Sequence, residues 1–420
     1  MPREMKDSGI AWIGKIPDSW NIGRIGHLYT ERKEKVSDTD FSPLSVTMKG
    51  ILPQLSTAAK TDAHDDRKLV RKGDFAINSR SDRRGSCGIS SYDGSVSLIN
   101  TILSPRSEMN PGYYNWLFHS TMFSDEFYKW GHGIVDDLWT TNWQDMKKIS
   151  VPLPPIQDQV KIASFLDTEC ARIDAVMEQT HASIEEYKKL KQSVITQAIT
   201  KGIRPNRPMK DSGVDWIGEI PVEWDCTLLK RHCRFQTGST PSTTNEQWFN
   251  GDLDWFTPSD FSDNYYLVNS TRKLSLLAKE EGVATIIPQN TVMIIGIGGT
   301  AGKIGFTTQE CSCNQQITAI SVDSYLYSKY LMYWMIANTK RLKDTALYTT
   351  LPIINNQTIG EYSLLVPESI EEQIKISEYL DSKVEEIEKQ IKKKEELLSE
   401  METYKKSLIY EYVTGKKEVH

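Results

Sequence analysis

The sequence predicts a mixed α+β chain built from two tandem copies of one unit, each a globular part followed by a long helix. Two observations carry the prediction. The opening phrase MKDSGIAWIGKIPDSW (Met5 to Trp20) returns as MKDSGVDWIGEIPVEW (Met209 to Trp224), with 11 of 16 positions identical. Each copy also closes on apolar residues in alternating steps of three and four, the mark of a coiled-coil helix.

A repeat of this kind dictates architecture before any local pattern does. The stretch GDFAINSRSDRRGSCGISS (Gly73 to Ser91) lies on NTVMIIGIGGTAGKIGFTT (Asn290 to Thr308) at an offset of 217. That offset also places Thr101 on Thr318, Ser104 on Ser321 and Tyr113 on Tyr330. The opening phrases are offset by 204, so the second copy holds a net insertion of 13 residues between Trp224 and Asn290. PPIQDQVKIASFLD (Pro154 to Asp167) matches ESIEEQIKISEYLD (Glu368 to Asp381) at 214. The divisions expected are residues 1–155 and 209–369 as globular parts, with 156–208 and 370–420 as their helices.

Within the globular parts, FAINS and TVMIIG are β-branched runs that end in polar or glycine-rich turns, as strands do. GYYNWLFHSTMFSDEFYKW and SKYLMYWMIANTKRLKD carry helical apolar spacing. The first helical seam runs Cys170, Ile173, Met177, Thr180, Ile184, Tyr187, Lys191, Val194, Ala198. The second runs Val384, Ile387, Ile391, Lys394, Leu398, Met401, Lys405, Leu408, Tyr412, in phase at all nine positions. A seam this long needs an equally long surface to cover it, so the two helices are expected to pair. Ile173, Met177, Ile184, Tyr187 and Val194 would face Ile387, Ile391, Leu398, Met401 and Leu408. Polar residues at matched seam positions (Thr180 and Lys394, Lys191 and Lys405) would fix register and partner.

The chain has 420 residues, ordinary apolar and charged content, no apolar run of membrane-spanning length and no apolar leader after MPREMKDSG, so a cytoplasmic protein is expected. Its six cysteines form no C-x-x-C pair; His232 beside Cys233 is the nearest approach to a ligand cluster, and a zinc site is not expected. Net charge is −6, and residues 209–369 hold 12 basic against 17 acidic side chains. Any grip on nucleic acid must then come from local clusters or from a partner that adds positive charge.

Catalytic motifs are missing. GIGGTAGKIG (Gly296 to Gly305) lacks the spacing and the hydroxyl of a phosphate-binding loop, and KIGFTT after it reads as a strand, against a dinucleotide fingerprint. A glycine-rich hairpin is the better reading. No H-E-x-x-H or G-x-S-x-G occurs. Asp136–Asp137 and Glu31 to Lys33 fit a solvated charge pair better than a nuclease site. The chain reads as a binder. Its basic stretches are RKLVRK (Arg67 to Lys72), SRSDRRGS (Ser79 to Ser86), KRHCR (Lys230 to Arg234) and KRLK (Lys340 to Lys343), and aromatics interleave with polar residues from Asn245 to Asp260. Arginines on a polar turn suit phosphate contact and two-point guanine recognition. The candidate DNA contacts are Lys49, Arg80, Arg83 and Arg84 in the first copy, and Asn245, Trp248 and Lys303 in the second.

The combination resembles the specificity subunit of type I restriction–modification systems. The resemblance rests on WIGKIPDSW and WIGEIPVEW, on LSVTMKG (Leu44 to Gly50), on TGSTPSTTNEQWFNGDLDWFTPSD, and on the FLD and YLD helix openers. It spans essentially the whole chain. It implies two target-recognition domains, each reading half of a split double-stranded DNA target, and two helices paired antiparallel as a spacer. It also implies two methyltransferase subunits docked around the chain, with motor–nuclease subunits joining for cleavage. S-adenosylmethionine, ATP and Mg would belong to those partners and no cofactor to this chain, which would not be an enzyme. The opening phrase would be structural, with Trp12, Trp20, Trp216 and Trp224 in the core or at interfaces. The second copy departs from the first where GIGGTAG stands against SRSDRRG without an arginine, so its base contacts must come from other loops. Two rivals are a self-contained restriction or methylation enzyme fused to its recognition domains, and a structural coiled-coil scaffold. The first lacks a cofactor loop or N-P-P turn; the second has no use for two unlike heads on matched helices.

Overall fold

The repeated phrase folds the same way twice. Met5–Asp7 pairs with Lys15–Pro17 and Met209–Asp211 with Glu219–Pro221, each an antiparallel hairpin. The Asp–Ser–Gly triplet makes the bend: Asp7 and Asp211 accept the amides of Gly9 and Gly213. Both glycines have φ of 72°, where an L side chain would be strained. The tryptophan that ends each phrase, Trp20 or Trp224, is fully buried. This computed structural model describes residues 3–54, 65–106, 108–133, 139–262, 264–344, 347–348 and 352–419.

Two compact units divide the chain: residues 1–182 with 395–420, and residues 183–394. Each unit takes one head, the first part of that head's own long helix, and the last part of the other copy's helix. The long helices span Ile156–Lys201 and Ile370–Val413.

In the first head a four-stranded antiparallel sheet runs in the order Cys87–Ile89, Phe75–Asn78, Asn100–Pro105, Tyr29–Glu31. The second head repeats it as Ile304–Thr307, Val292–Ile295, Ile317–Val322, Cys233–Thr237. The glycine-rich stretch before Ile304 is the expected hairpin turn, with Gly298 and Gly302 at φ of 114° and 87°. Around this shared frame the heads diverge. The first adds a sheet of Gly94–Ser97, Arg67–Val70 and Lys35–Val36, and a hairpin of Leu44–Thr47 with Gly50–Pro53. The second adds Tyr266–Leu267 parallel to the frame's edge, and a sheet of Arg272–Leu274, Phe249–Phe256 and Ser312–Cys313. The 13-residue excess therefore sits between Thr237 and Asn290, inside the expected interval.

Behind each frame sits an aromatic core. Tyr29, Phe75, Tyr113, Tyr114 and Phe118 fill the first, with Phe75 and Phe118 rings 4.9 Å apart. Tyr330, Trp334, Ile294 and Phe306 fill the second. The helical stretch after the frame breaks in the first head into Pro111–His119 and Thr121–Lys129. Ser120 causes the break by capping the second helix, its hydroxyl accepting the Phe123 amide. In the second head Ser328–Asp344 runs unbroken, with Ala337 at the matched position.

All eighteen seam positions are buried or half-buried, and the residues between them are mostly exposed. In the first unit Cys170, Ile173 and Met177 pack with Met401, Leu408 and Tyr412. In the second Val194, Ile195, Ala198 and Ile199 pack with Ile376, Leu380 and Val384. The start of one helix meets the end of the other in both units, so the pairing is antiparallel. Three of the polar seam residues take partners on the opposite helix. Lys405 pairs with Asp174 at 2.6 Å, Lys191 with Glu388 at 3.3 Å, and Lys394 lies over the Tyr187 ring. Thr180 instead donates to the Val176 carbonyl of its own helix. Cross-helix ion pairs of this kind fix register more than they add stability.

Candidate nucleic-acid interface

The matched motifs at the helix openers tie each head to its helices. Trp20 Nε1 and Arg3 both donate to Asp158, at 2.8 and 2.7 Å. Trp224 Nε1 and Arg207 donate to Glu372, at 3.3 and 2.6 Å, and each guanidinium lies over its tryptophan ring. Gln159 accepts the Asn110 amide and Gln373 the Tyr327 amide, both next to the head's main helix. The aspartate of FLD, Asp167, accepts from Trp116 Nε1; that of YLD, Asp381, accepts from Tyr333 Oη. Tyr113 Oη donates to the Val413 carbonyl, and Tyr330 Oη to that of Ile199. These contacts reach the end of the other copy's helix. Trp12 is buried, and Trp216 packs on Trp334 and Tyr362 under the Arg341 guanidinium. The four tryptophans are structural, as expected.

On the first head, strand Phe75–Asn78 leads into a turn that carries Arg80, Arg83 and Arg84. The Asn78 amide donates to the Ser86 carbonyl, and Tyr128 Oη bonds the carbonyls of Asn78 and Arg83. The turn is therefore held at both ends. Arg83 and Arg84 line a cleft of about 510 Å³ with Asn78, Asn100 and Thr47. At its floor Arg67 is buried and donates to Ser95; burial pulls its guanidinium below the ordinary value. Lys49 lies next to the exposed Met48, between the two strands of the hairpin, and lines a neighbouring cleft that Met48 shares. Of the four first-copy candidates, Arg83 and Arg84 thus share one cleft and Lys49 lines its neighbour, while Arg80 starts the turn and lines neither. The structure also gives the arginines acidic partners that local reading did not foresee: Arg80 pairs with Asp82, and Arg84 with Asp125.

On the second head the candidates are more scattered. Asn245 caps the turn Glu246–Trp248 by accepting the Gln247 amide. Trp248 is half-buried against Leu253, Trp255 and Leu274. Lys303 stands at the glycine-rich turn and donates to the Phe261 carbonyl. Beside the first two opens a cleft of about 620 Å³ lined by Asn250, Thr271, Arg272 and Lys273. Arg272 is exposed and stacks on Phe249 and Trp255, at 5.3 and 5.0 Å. Arg272 and Lys273 were missed. The signal was available in Asn250–Gly251, a turn dipeptide with Asn250 at φ of 60°, which bends the strand that carries Phe249 and Trp255.

Two other positions noted in the sequence take carboxylate partners. His232 pairs with Asp323, and burial pushes the thiol of its neighbour Cys233 up to about 12. Lys33 pairs with Glu31. Asp136 and Asp137 lie outside the described residues.

Residues 17–186 and 221–397 each match the family described as the type I restriction modification DNA specificity domain. Over 169 residues the chain is 31% identical to the MjaIX specificity subunit of a type I restriction enzyme from Methanocaldococcus jannaschii, covering 39% of this chain and 38% of that one. Over 237 residues it is 24% identical to the MjaVIII specificity subunit of the same organism, covering 53% and 51%. The matches thus span about half or less of these curated relatives. A chain from a solved type I R-M system, described for its complex assembly and conformational transition, superposes with a TM-score of 0.74 at 15% identity, covering 96% and 99%. The HsdS subunit from Thermoanaerobacter tengcongensis gives 0.51 at 16% identity, covering 96% and 98%. At these identities the structures speak for the fold alone. The matched stretches take in most of the chain and both copies of the repeated frame, so this protein belongs to the type I restriction modification DNA specificity domain family.

Proposed function

We propose that the chain is the DNA-recognition subunit of a type I restriction–modification complex and reads a split double-stranded target with its two heads. One observation carries the reading. The heads share a sheet and its anchors to the helices, yet differ in what they add to it: exposed Arg83 stands on a frame turn whose counterpart has no arginine, and exposed Arg272 stands on a sheet that only the second head has. Such a chain suits two half-sites of different sequence. Two methyltransferase subunits and motor–nuclease subunits dock on it and use S-adenosylmethionine, ATP and Mg. The chain itself binds no cofactor and catalyses nothing. It works in the cytoplasm; among the described residues no helix is long and apolar enough to cross a membrane.

The test uses the full chain with a methyltransferase subunit and a pool of random-sequence duplexes. Two enriched blocks at a fixed unread gap are expected. A single block, or none, overturns the reading. Seven residues inserted after both Tyr187 and Met401 keep the three-four seam in phase and add about 10 Å of helix, or about three base pairs. The same two blocks are then expected at a longer gap. Four inserted residues turn the seam away and should cripple assembly. A folded seven-residue variant that keeps the original gap would show that the helices are not the ruler.

A further inference from the structure

We propose that Arg80 is the guanine-reading side chain of the first head and that Asp82 is the residue that positions it. The inference rests on the reading above that this head binds DNA. Arg80 Nε and Nη2 donate to the two oxygens of Asp82 at 2.9 and 3.0 Å. That fork occupies one edge of the planar guanidinium and leaves its Nη1–Nη2 end open. Guanine offers O6 and N7 side by side in the major groove, and an arginine end meets both at once. A side chain held in advance loses less freedom on binding. The support beneath it is rigid: the Arg80 amide donates to Asn78 Oδ1, and the Ser81 amide to the Trp139 carbonyl.

Its neighbours are placed for other work. Arg83 is 67% exposed and its nearest carboxylate oxygen is 3.9 Å away, which suits a phosphate. Arg84 is committed to Asp125 and lies over the Tyr128 ring. Asp82 also discriminates by charge. Its carboxylate is bonded to Arg80 at 2.9 and 3.0 Å but lies 3.9 Å from Arg83, so it offsets the charge of Arg80 more than that of Arg83 and favours a neutral base edge at Arg80.

The experiment repeats the duplex selection with Arg80→Lys, Asp82→Asn and Arg83→Ala in the full chain with a methyltransferase subunit. Arg80→Lys keeps the charge and loses the planar fork. It should cut the preference for guanine at one position of one block by about 5- to 150-fold and leave the other block intact. Asp82→Asn should weaken the same preference by less, while raising affinity for all duplexes and steepening the salt dependence. Arg83→Ala should weaken binding to every duplex alike and lower the salt slope by about 1. If Arg80→Lys keeps every preference, or loses one for a base other than guanine, the proposal is wrong, even where Arg83→Ala behaves as expected. If Arg80→Ala, Arg83→Ala and Arg84→Ala together leave binding unchanged, this face does not touch DNA, and the proposed reading of the head falls with the inference.

Discussion

The two heads of this chain are built on the same four strands and tied to the helices by the same kinds of bonds, yet they bury those bonds to different depths. In the first head Arg3 and Asp158 retain 24% and 28% of their side-chain exposure. In the second, Arg207 and Glu372 retain 7% and 5%. Trp20 and Trp224 are equally buried above them. The lesson is that position in a repeat does not set the worth of an interaction; the depth of water around it does.

That difference can be broken directly. Arg207→Met leaves Glu372 charged and buried without its partner, and should destabilise the second unit by ~3–5 kcal/mol. Arg3→Met exposes Asp158 to water and should cost at most ~1 kcal/mol. Urea unfolding followed by tryptophan fluorescence compares them; equal losses would erase the distinction.

Helix continuity is the next contrast. Ser120 caps a helix that the second head never starts, because Ala337 stands at the matched place. Ser120→Ala should cost about 0.5–2 kcal/mol through the lost cap. Ala337→Ser should change stability by a few tenths. Thermal unfolding of the two variants checks the pair.

A pH contrast follows from His119, whose matched residue is Ile336. Burial holds the His119 imidazole below its ordinary value of 6.5, and its Nδ1 donates to the Asn115 carbonyl. The unfolded chain takes up a proton near pH 6.5 that the folded unit resists. Stability from this group is therefore complete above that pH and falls as pH drops through the lower folded value. Urea midpoints at pH 7.5 and 5.5 should drop further for the first unit than for the second, and His119→Ile should narrow the gap.

The smallest effect belongs to the paired ion bridges of the helices. Lys405→Ala and Lys191→Ala should each cost ~0.2–1 kcal/mol, since one member of each pair is well exposed. Their signature is sensitivity to salt, measured as the shift in unfolding midpoint between low and high ionic strength. A loss of several kcal/mol would mean that the bridges hold the fold as well as its register.

Several features were decided by the chain's local chemistry alone. The repeat, the hairpin made by Asp–Ser–Gly, the strands FAINS and TVMIIG, and the eighteen seam positions all follow from spacing along a few turns or strands. Periodicity reports which face is apolar, so it found the seam without knowing the partner. The candidate basic turn at Arg80 to Arg84 was legible for the same reason. Its acidic partner Asp125, and Arg272 stacked on Phe249 and Trp255, were not, because those contacts join residues far apart in the chain. The cap that each head places on a helix end was equally invisible. Tyr113 reaches the Val413 carbonyl 300 residues away, while Tyr330 reaches that of Ile199. The two helix ends and the two aromatic cores carry the same kinds of local signal, so nothing local says which helix end meets which head. Only packing decides it: a buried tyrosine hydroxyl needs an acceptor, and the antiparallel helix pair supplies one from the other copy.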